Sequence, residues 1–247
     1  MNGVETEGLE VVVLGSFNPS IFSPAWLRLH DLIGAREADE AKVQVIVPPA
    51  AVFSTEWLGV NVQQDSMSLQ TEMTQDFERL RDVAVGILEV LKETPIFALG
   101  INRHIHWQAP SDSSYHYFGD HLVPKEFWSQ ALILPGTQQL TVQAIRPDEW
   151  AGYIRVTIQP SNTLRPRGIF AQFNDHVYLT RVESQPKDRS EFQISNEQFQ
   201  NFGPSQERIP LALALLGDAW TDRNEHAERV LQTLVDLTRQ EKEPDGS

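Results

Sequence analysis

Imidazoles are the side chains in this sequence closest to doing chemistry. His104 and His106 stand two apart in Thr94–Trp107, TPIFALGINRHIHW. On a strand that spacing aims both rings at the same face. His116, Asp120 and His121 follow shortly after. A strand pair of neutral imidazoles joined by loop ligands is the donor set a zinc or iron ion takes from a chain that offers no thiolate. No HExxH or comparable helical spacing accompanies it, so the stronger expectation is a polar, partly exposed sheet face near Asn102 and Arg103, and no metal or other cofactor is implied.

Asn174-Asp175-His176 places a carboxylate next to an imidazole. Neighbours on a strand point to opposite faces, so the two cannot pair simply there. A turn or bulge in which Asn and Asp satisfy backbone groups is the expectation. Gly15-Ser16-Phe17 is no nucleophile elbow, no glycine-rich phosphate loop is present, and Gly100 stands alone inside a strand. No catalytic residue is assigned.

For nucleic acid the best region is residues 138–182, where Arg146, Arg155, Arg165, Arg167 and Arg181 face Asp148, Glu149 and Asp175, with Tyr153, Phe170 and Phe173 interleaved. Arginines and aromatics on a curved sheet can stack bases or follow a backbone. The whole chain carries a net charge of −14, however. Five scattered arginines release few counterions against that field, so solvated strand faces are the expectation. A third candidate is polar segment 183–210, in which Phe192, Phe199 and Phe202 interrupt glutamines and asparagines. It reads as a surface-tied insertion, or as an arm that docks a partner.

The elements that must position these groups are legible from periodicity. Leu9–Phe17 reads as a buried strand, and Ser23-Pro24 as the cap and first residue of a helix running to Ile33 before Gly34. Lys42–Val47 reads as a strand ended by Pro48-Pro49. Leu58–Gln64 and Met67–Thr71 form a meander around Asp65-Ser66. Phe77, Leu80, Ala84, Ile87, Leu88 and Leu91 make one stripe of a helix over Gln75–Glu93. The order then restarts: strand Ile96–Trp107, a polar loop, a helix from Pro124 closed by Pro135-Gly136, strands Gln138–Ile145, Gly152–Ile158 and Gly168–Leu179, and a helix Asn224–Arg239.

The expected fold is therefore α+β, with two pseudo-repeated strand, helix, antiparallel meander, helix units, residues 1–94 and 95–240, forming a curved sheet with helices on one face. The second unit carries the insertion at 183–210, and 241–247 reads as a disordered tail. This order resembles the tandem helix-grip units of the TATA-binding-protein-like fold, a likeness that carries no function.

ALGINRHIHW within Thr94–Trp107, with Phe17-Asn18-Pro19, Pro24-Ala25-Trp26, Val123-Pro124-Lys125, Trp128 and Asn174-Asp175-His176, resembles the signature of a sporadically distributed bacterial family of uncharacterised proteins of about this length. The resemblance implies a bacterial, cytoplasmic origin, and its sporadic distribution suggests mobile or defence-associated neighbours. It implies no activity.

Composition narrows the function classes. The 247 residues include no cysteine, which excludes disulfides, thiolate metal sites and cysteine nucleophiles. The acidic start reads as no signal peptide, and no apolar run is long enough to span a bilayer. Residues 1–94 hold 6 Lys/Arg against 15 Asp/Glu, leaving 14 against 19 for the remainder. The reading that results is a non-enzymatic, cytoplasmic binding or assembly protein, an adaptor or a self-associating subunit, with a protein partner or homo-oligomer and no membrane. The alternatives are nucleic-acid binding by the second-half sheet and a His-centred metal enzyme.

Overall fold

A computed structural model of the chain describes residues 1–182 and 205–239. Strand β1 (Thr6–Gly15) alternates so that Leu9, Val11 and Val13 are fully buried on one face. Strands β2 (Lys42–Val47), β3 (Ala50–Ser54), β4 (Gly59–Gln63) and β5 (Ser66–Thr71) meander antiparallel, and β5 returns beside β1. Strand β6 (Ile96–Gln108) pairs with the other edge of β1, from Leu14↔Ala98 to Thr6↔His106. Strands β7 (Leu140–Ile145), β8 (Trp150–Pro160) and β9 (Gly168–Arg181) complete a curved, wholly antiparallel sheet of order β2-β3-β4-β5-β1-β6-β9-β8-β7.

Six α-helices occur among the described residues. Ser23 caps α1 (Pro24–Leu29) by accepting from the Trp26 N–H at 3.1 Å. The helix stops short of the expected Ile33 because Asp31 takes φ 57°. A second short helix, α2 (Ala35–Asp39), follows. Helix α3 (Phe77–Val90) buries Leu80, Val83, Ala84, Ile87 and Leu88, essentially the stripe read from the sequence, against β1 and β5. Helices α5 (Ser205–Gly217) and α6 (Trp220–Leu237) pack on β6 and β9. No helix among the described residues is long and apolar enough to cross a membrane.

Three local expectations are corrected. Helix α4 (Asp112–Leu122) occupies the expected polar loop, capped by Ser111 and burying Phe118. The expected helix from Pro124 is instead irregular chain with a single 3-10 turn at Trp128–Gln130, and its apolar residues stay in solvent instead of facing a core. Helix α5 begins at Ser205, inside the segment assigned to the insertion. Only Ile209, Ala212, Leu215 and Leu216 of its apolar residues are buried, on one face, but Leu211, Leu213 and Ala214 between them are apolar too, so the sequence shows no one-sided stripe. Strand β3 also went unpredicted, being short and alanine-rich.

The helix-side layer contains two main apolar clusters. One gathers Leu9, Val11, Phe53, Leu69, Leu80, Ile101 and Val177 beneath α3 and α5; the other gathers Ile105, Trp107, Phe118, Phe173, Leu231 and Val235 beneath α4 and α6. A belt of buried charge lies between them. Arg103, between Ile101 and Ile105 on β6, pairs with Glu7 and donates to the Asn224 carbonyl at 2.9 Å. Asp175, between Phe173 and Val177 on β9, binds Arg146 and, at 2.7 Å, Arg223 of α6. Asp148 accepts from Nε and Nη2 of Arg146 and from Nη2 of Arg223. Asn174-Asp175-His176 is thus mid-strand rather than a turn or bulge, with Asp175 satisfied by two guanidinium groups instead of backbone.

Candidate binding surfaces

The sheet face away from the main helices is polar where its strands alternate outward. Glu10, Ser68, Asn102 and Asn174 form a hydrogen-bonded row across β5, β1, β6 and β9. Ser68 Oγ donates to Glu10 Oε1 at 2.5 Å, Asn102 Nδ2 to Glu10 Oε2 at 3.1 Å, and Asn174 Nδ2 to Asn102 Oδ1 at 2.8 Å. Arg103 points to the opposite face, as strand alternation requires.

His104 and His106 both stand on this outer face, ring centroids 6.3 Å apart, with the Phe170 ring beside each. Glu72, just beyond β5, reaches over β1 to His104 Nε2 at 3.0 Å. Gly8, opposite His104 in register, leaves room: a Cβ there would lie 2.5 Å from His104 Nε2 and 2.8 Å from Glu72 Oε2. The hydrogen bond from His104 holds the Glu72 carboxyl below the usual carboxylate range.

His106 Nδ1 lies 2.8 Å from Ser161 Oγ. That oxygen already accepts from the Thr163 and Leu164 N–H groups, so we assign its proton to the contact with His106, leaving the ring proton on Nε2. Burial, then the charge of His104, pushes the His106 pKa down. The two rings border an open cleft of about 730 Å³ walled by residues near the N-terminus and the start of α3. This arrangement can orient one imidazole through a carboxylate, as a general base requires, but the Glu72 side chain is 63% exposed to solvent.

His116 and His121 lie elsewhere. Both are on α4, whose Phe118 packs edge-on against Trp107, and Trp107 points away from the His104/His106 face. The sheet therefore separates the four histidines into two pairs. Among the described residues no three His, Cys, Asp or Glu side chains are grouped to hold a metal.

The five arginines are likewise dispersed. Arg146 is consumed in the buried ion belt. Arg155 projects from the outer face, over the Tyr153 ring at 4.7 Å, and donates to Gln143 Oε1 at 2.8 Å. Arg165 is exposed in the loop between β8 and β9, where Arg167 donates to the Pro110 carbonyl at 3.2 Å. Arg181 pairs with Glu149 over Trp150. Beside Arg155 the Tyr153 and His176 rings stack at 4.7 Å and 13°, and Tyr178 meets His176 edge-on. Burial, then the Arg146 charge, lowers the His176 pKa to about 4, and burial raises that of Tyr178 to about 12. Phe192, Phe199 and Phe202 lie outside the described residues.

The surface that sequence reasoning missed is the stretch between α4 and β7. Phe127, Trp128, Leu132, Ile133 and Leu134 are 72, 45, 52, 95 and 93% exposed. They lead into β7, the outermost strand on its side among the described residues, with no described strand on its second edge and with Val142 53% exposed. An aperiodic apolar run was the available signal.

No protein-family model matches this chain, and no curated protein sequence matches it. The class that fold and surfaces define is an α+β protein with a nine-stranded antiparallel sheet, its long helices on one face.

Proposed function

We propose that this chain is a non-enzymatic binding and assembly protein, a subunit that associates with copies of itself through β7 and the apolar stretch 127–134. The observation that carries this reading is the group of five large apolar side chains in solvent next to a strand edge that no described strand pairs. Isolated exposed apolar residues need no explanation, whereas a contiguous group beside unpaired backbone is a contact surface. β7 is LTVQAI, without charge or proline to deter strand addition. Two copies meeting about a two-fold axis would align β7 antiparallel to itself and bring both apolar stretches together.

The occupant is protein rather than lipid. The stretch is flanked by one lysine and one glutamate, and the net charge of −14 opposes an anionic bilayer surface. A tandem arrangement of two helix-grip-like units, 1–94 and 95–240, is part of the reading. It is supported by the strand order, in which β1 and β6 meet centrally and the last strand of each meander flanks its own first strand.

Light scattering on the eluting protein across micromolar concentrations tests the proposal. A mass above that of one chain is expected, reverting to one chain in Ile133→Asp and Val142→Lys. A single-chain mass at every concentration overturns it. Base-stacking on Arg155 and Tyr153 is the weaker reading, since the other four arginines do not share their surface.

A further inference from the structure

Between α4, the connection to β7, and the helix-side face of β7 and β8 lies a cavity of about 560 Å³. Leu140, Ile158 and Ile169 form its floor, and Phe118 and Leu122 of α4 one wall. On the other wing of the sheet the same layer is closed by Phe22 and Leu27, both fully buried. Here no side chain among the described residues closes it. Gly119 and Gly136 leave two stretches of wall bare, and a Cβ added at either meets no atom within 4 Å. The volume falls in the ~300–1,000 Å³ range of small-molecule sites, which are apolar with a few polar groups.

The charges at the wall decide what kind of molecule fits. Lys125 Nζ donates to the Val123 carbonyl at 2.5 Å, the Gly119 carbonyl at 3.4 Å and Thr137 Oγ1, which uses all three of its hydrogens. Asp120 stands 3.8 Å from it and balances its charge. The ammonium thus ties the connection to the end of α4 and has no donor left for a ligand. An anion would lose its hydration here and find the Lys125 charge already spent. We infer that the cavity binds a neutral, predominantly apolar small molecule, its few polar atoms turned to Ser129 at the wall.

Fluorescence titration with N-phenyl-1-naphthylamine, a neutral apolar probe, tests this site. Saturable enhancement at one equivalent per chain is expected. Gly119→Trp, which fills the bare wall, lowers affinity by roughly tenfold or more, and Ile133→Ser, outside the cavity lining, leaves it within about twofold. Circular dichroism and melting establish that the variant folds; if Gly119→Trp does not, Gly136→Trp repeats the test from the opposite wall.

Four results overturn the inference: no saturable binding, unchanged affinity in the folded filled variants, loss of binding in Ile133→Ser, or tighter binding of anionic cis-parinarate than of the neutral probe. The site does not depend on self-association, and a protein of single-chain mass at every concentration still binds. Expulsion of the probe on concentrating the protein would mean that a second copy fills the cavity, and would overturn the ligand assignment alone.

Discussion

Replacing His176 by phenylalanine keeps a ring stacked on Tyr153 and removes a proton site that the fold suppresses. The folded imidazole is held at about 4 by burial and the Arg146 charge, against an ordinary 6.5. Between those values the unfolded chain binds a proton that the folded chain refuses, so stability rises with pH across the window and is lost as pH falls. The full span of the shift corresponds to about 3 kcal/mol, at about 1.4 kcal/mol per pH unit. Near pH 5 about 2 kcal/mol of it has been lost. Urea denaturation of both proteins near pH 7.5 and near pH 5 isolates the effect, because His106, His226 and the carboxylates titrate in both. The wild type should lose about 2 kcal/mol more than His176→Phe on acidification. Equal losses, or a His176 ring that titrates near its ordinary value by NMR, would refute the reasoning.

Three further outcomes follow from the same contacts. Asp175→Asn leaves Arg146 and Arg223 without their shared carboxylate in a buried setting, and should cost about 3–5 kcal/mol in urea denaturation. Gly8→Ala forces His104 and Glu72 apart, so the Glu72 carboxyl should titrate higher by NMR, with stability lowered by about 1–3 kcal/mol. Depressed in the fold, Glu72 contributes stability above its unfolded pKa that is lost as pH falls through the folded one, and Gly8→Ala should blunt that acid loss. Trp220 Nε1 donates to Glu78 Oε1 at 2.8 Å, so Glu78→Ala should lower the melting midpoint by removing about 1 kcal/mol.

The long elements were legible because each has one buried face. Leu80, Ala84, Ile87 and Leu88 announce α3, and valines announce β1. Where polar groups dominate an element, the pattern fades. In α4 the spacing Tyr115, Phe118, Leu122 is helical, but Ser, Asp and His between them resemble a loop. In α5 apolar residues surround the axis, so no stripe appears. The pairing of His104 with His106 on one face followed from strand alternation alone. Their separation from His116 and His121 did not, because it depends on which side of the sheet α4 lies. Exposure was the hardest property to read: Phe127–Leu134 has the composition of a core segment, and only the tertiary arrangement leaves it in solvent.

The pairing of β1 with β6 at the middle of the sheet has a consequence during synthesis. These strands are separated by the whole first meander and α3, so β1 leaves the ribosome with only β5 to bond on one edge. Its other edge, beside Leu9, Val11 and Val13, has no strand neighbour until Ile96–His106 has been made. Half-made chains therefore carry an open, valine-rich strand edge, a template for wrong pairing between nascent molecules. Glu10 on the outer face and Glu7 on the helix-side face place negative charge along that edge. Before Arg103 and Asn102 arrive to pair with them, those carboxylates keep one unfinished chain from another.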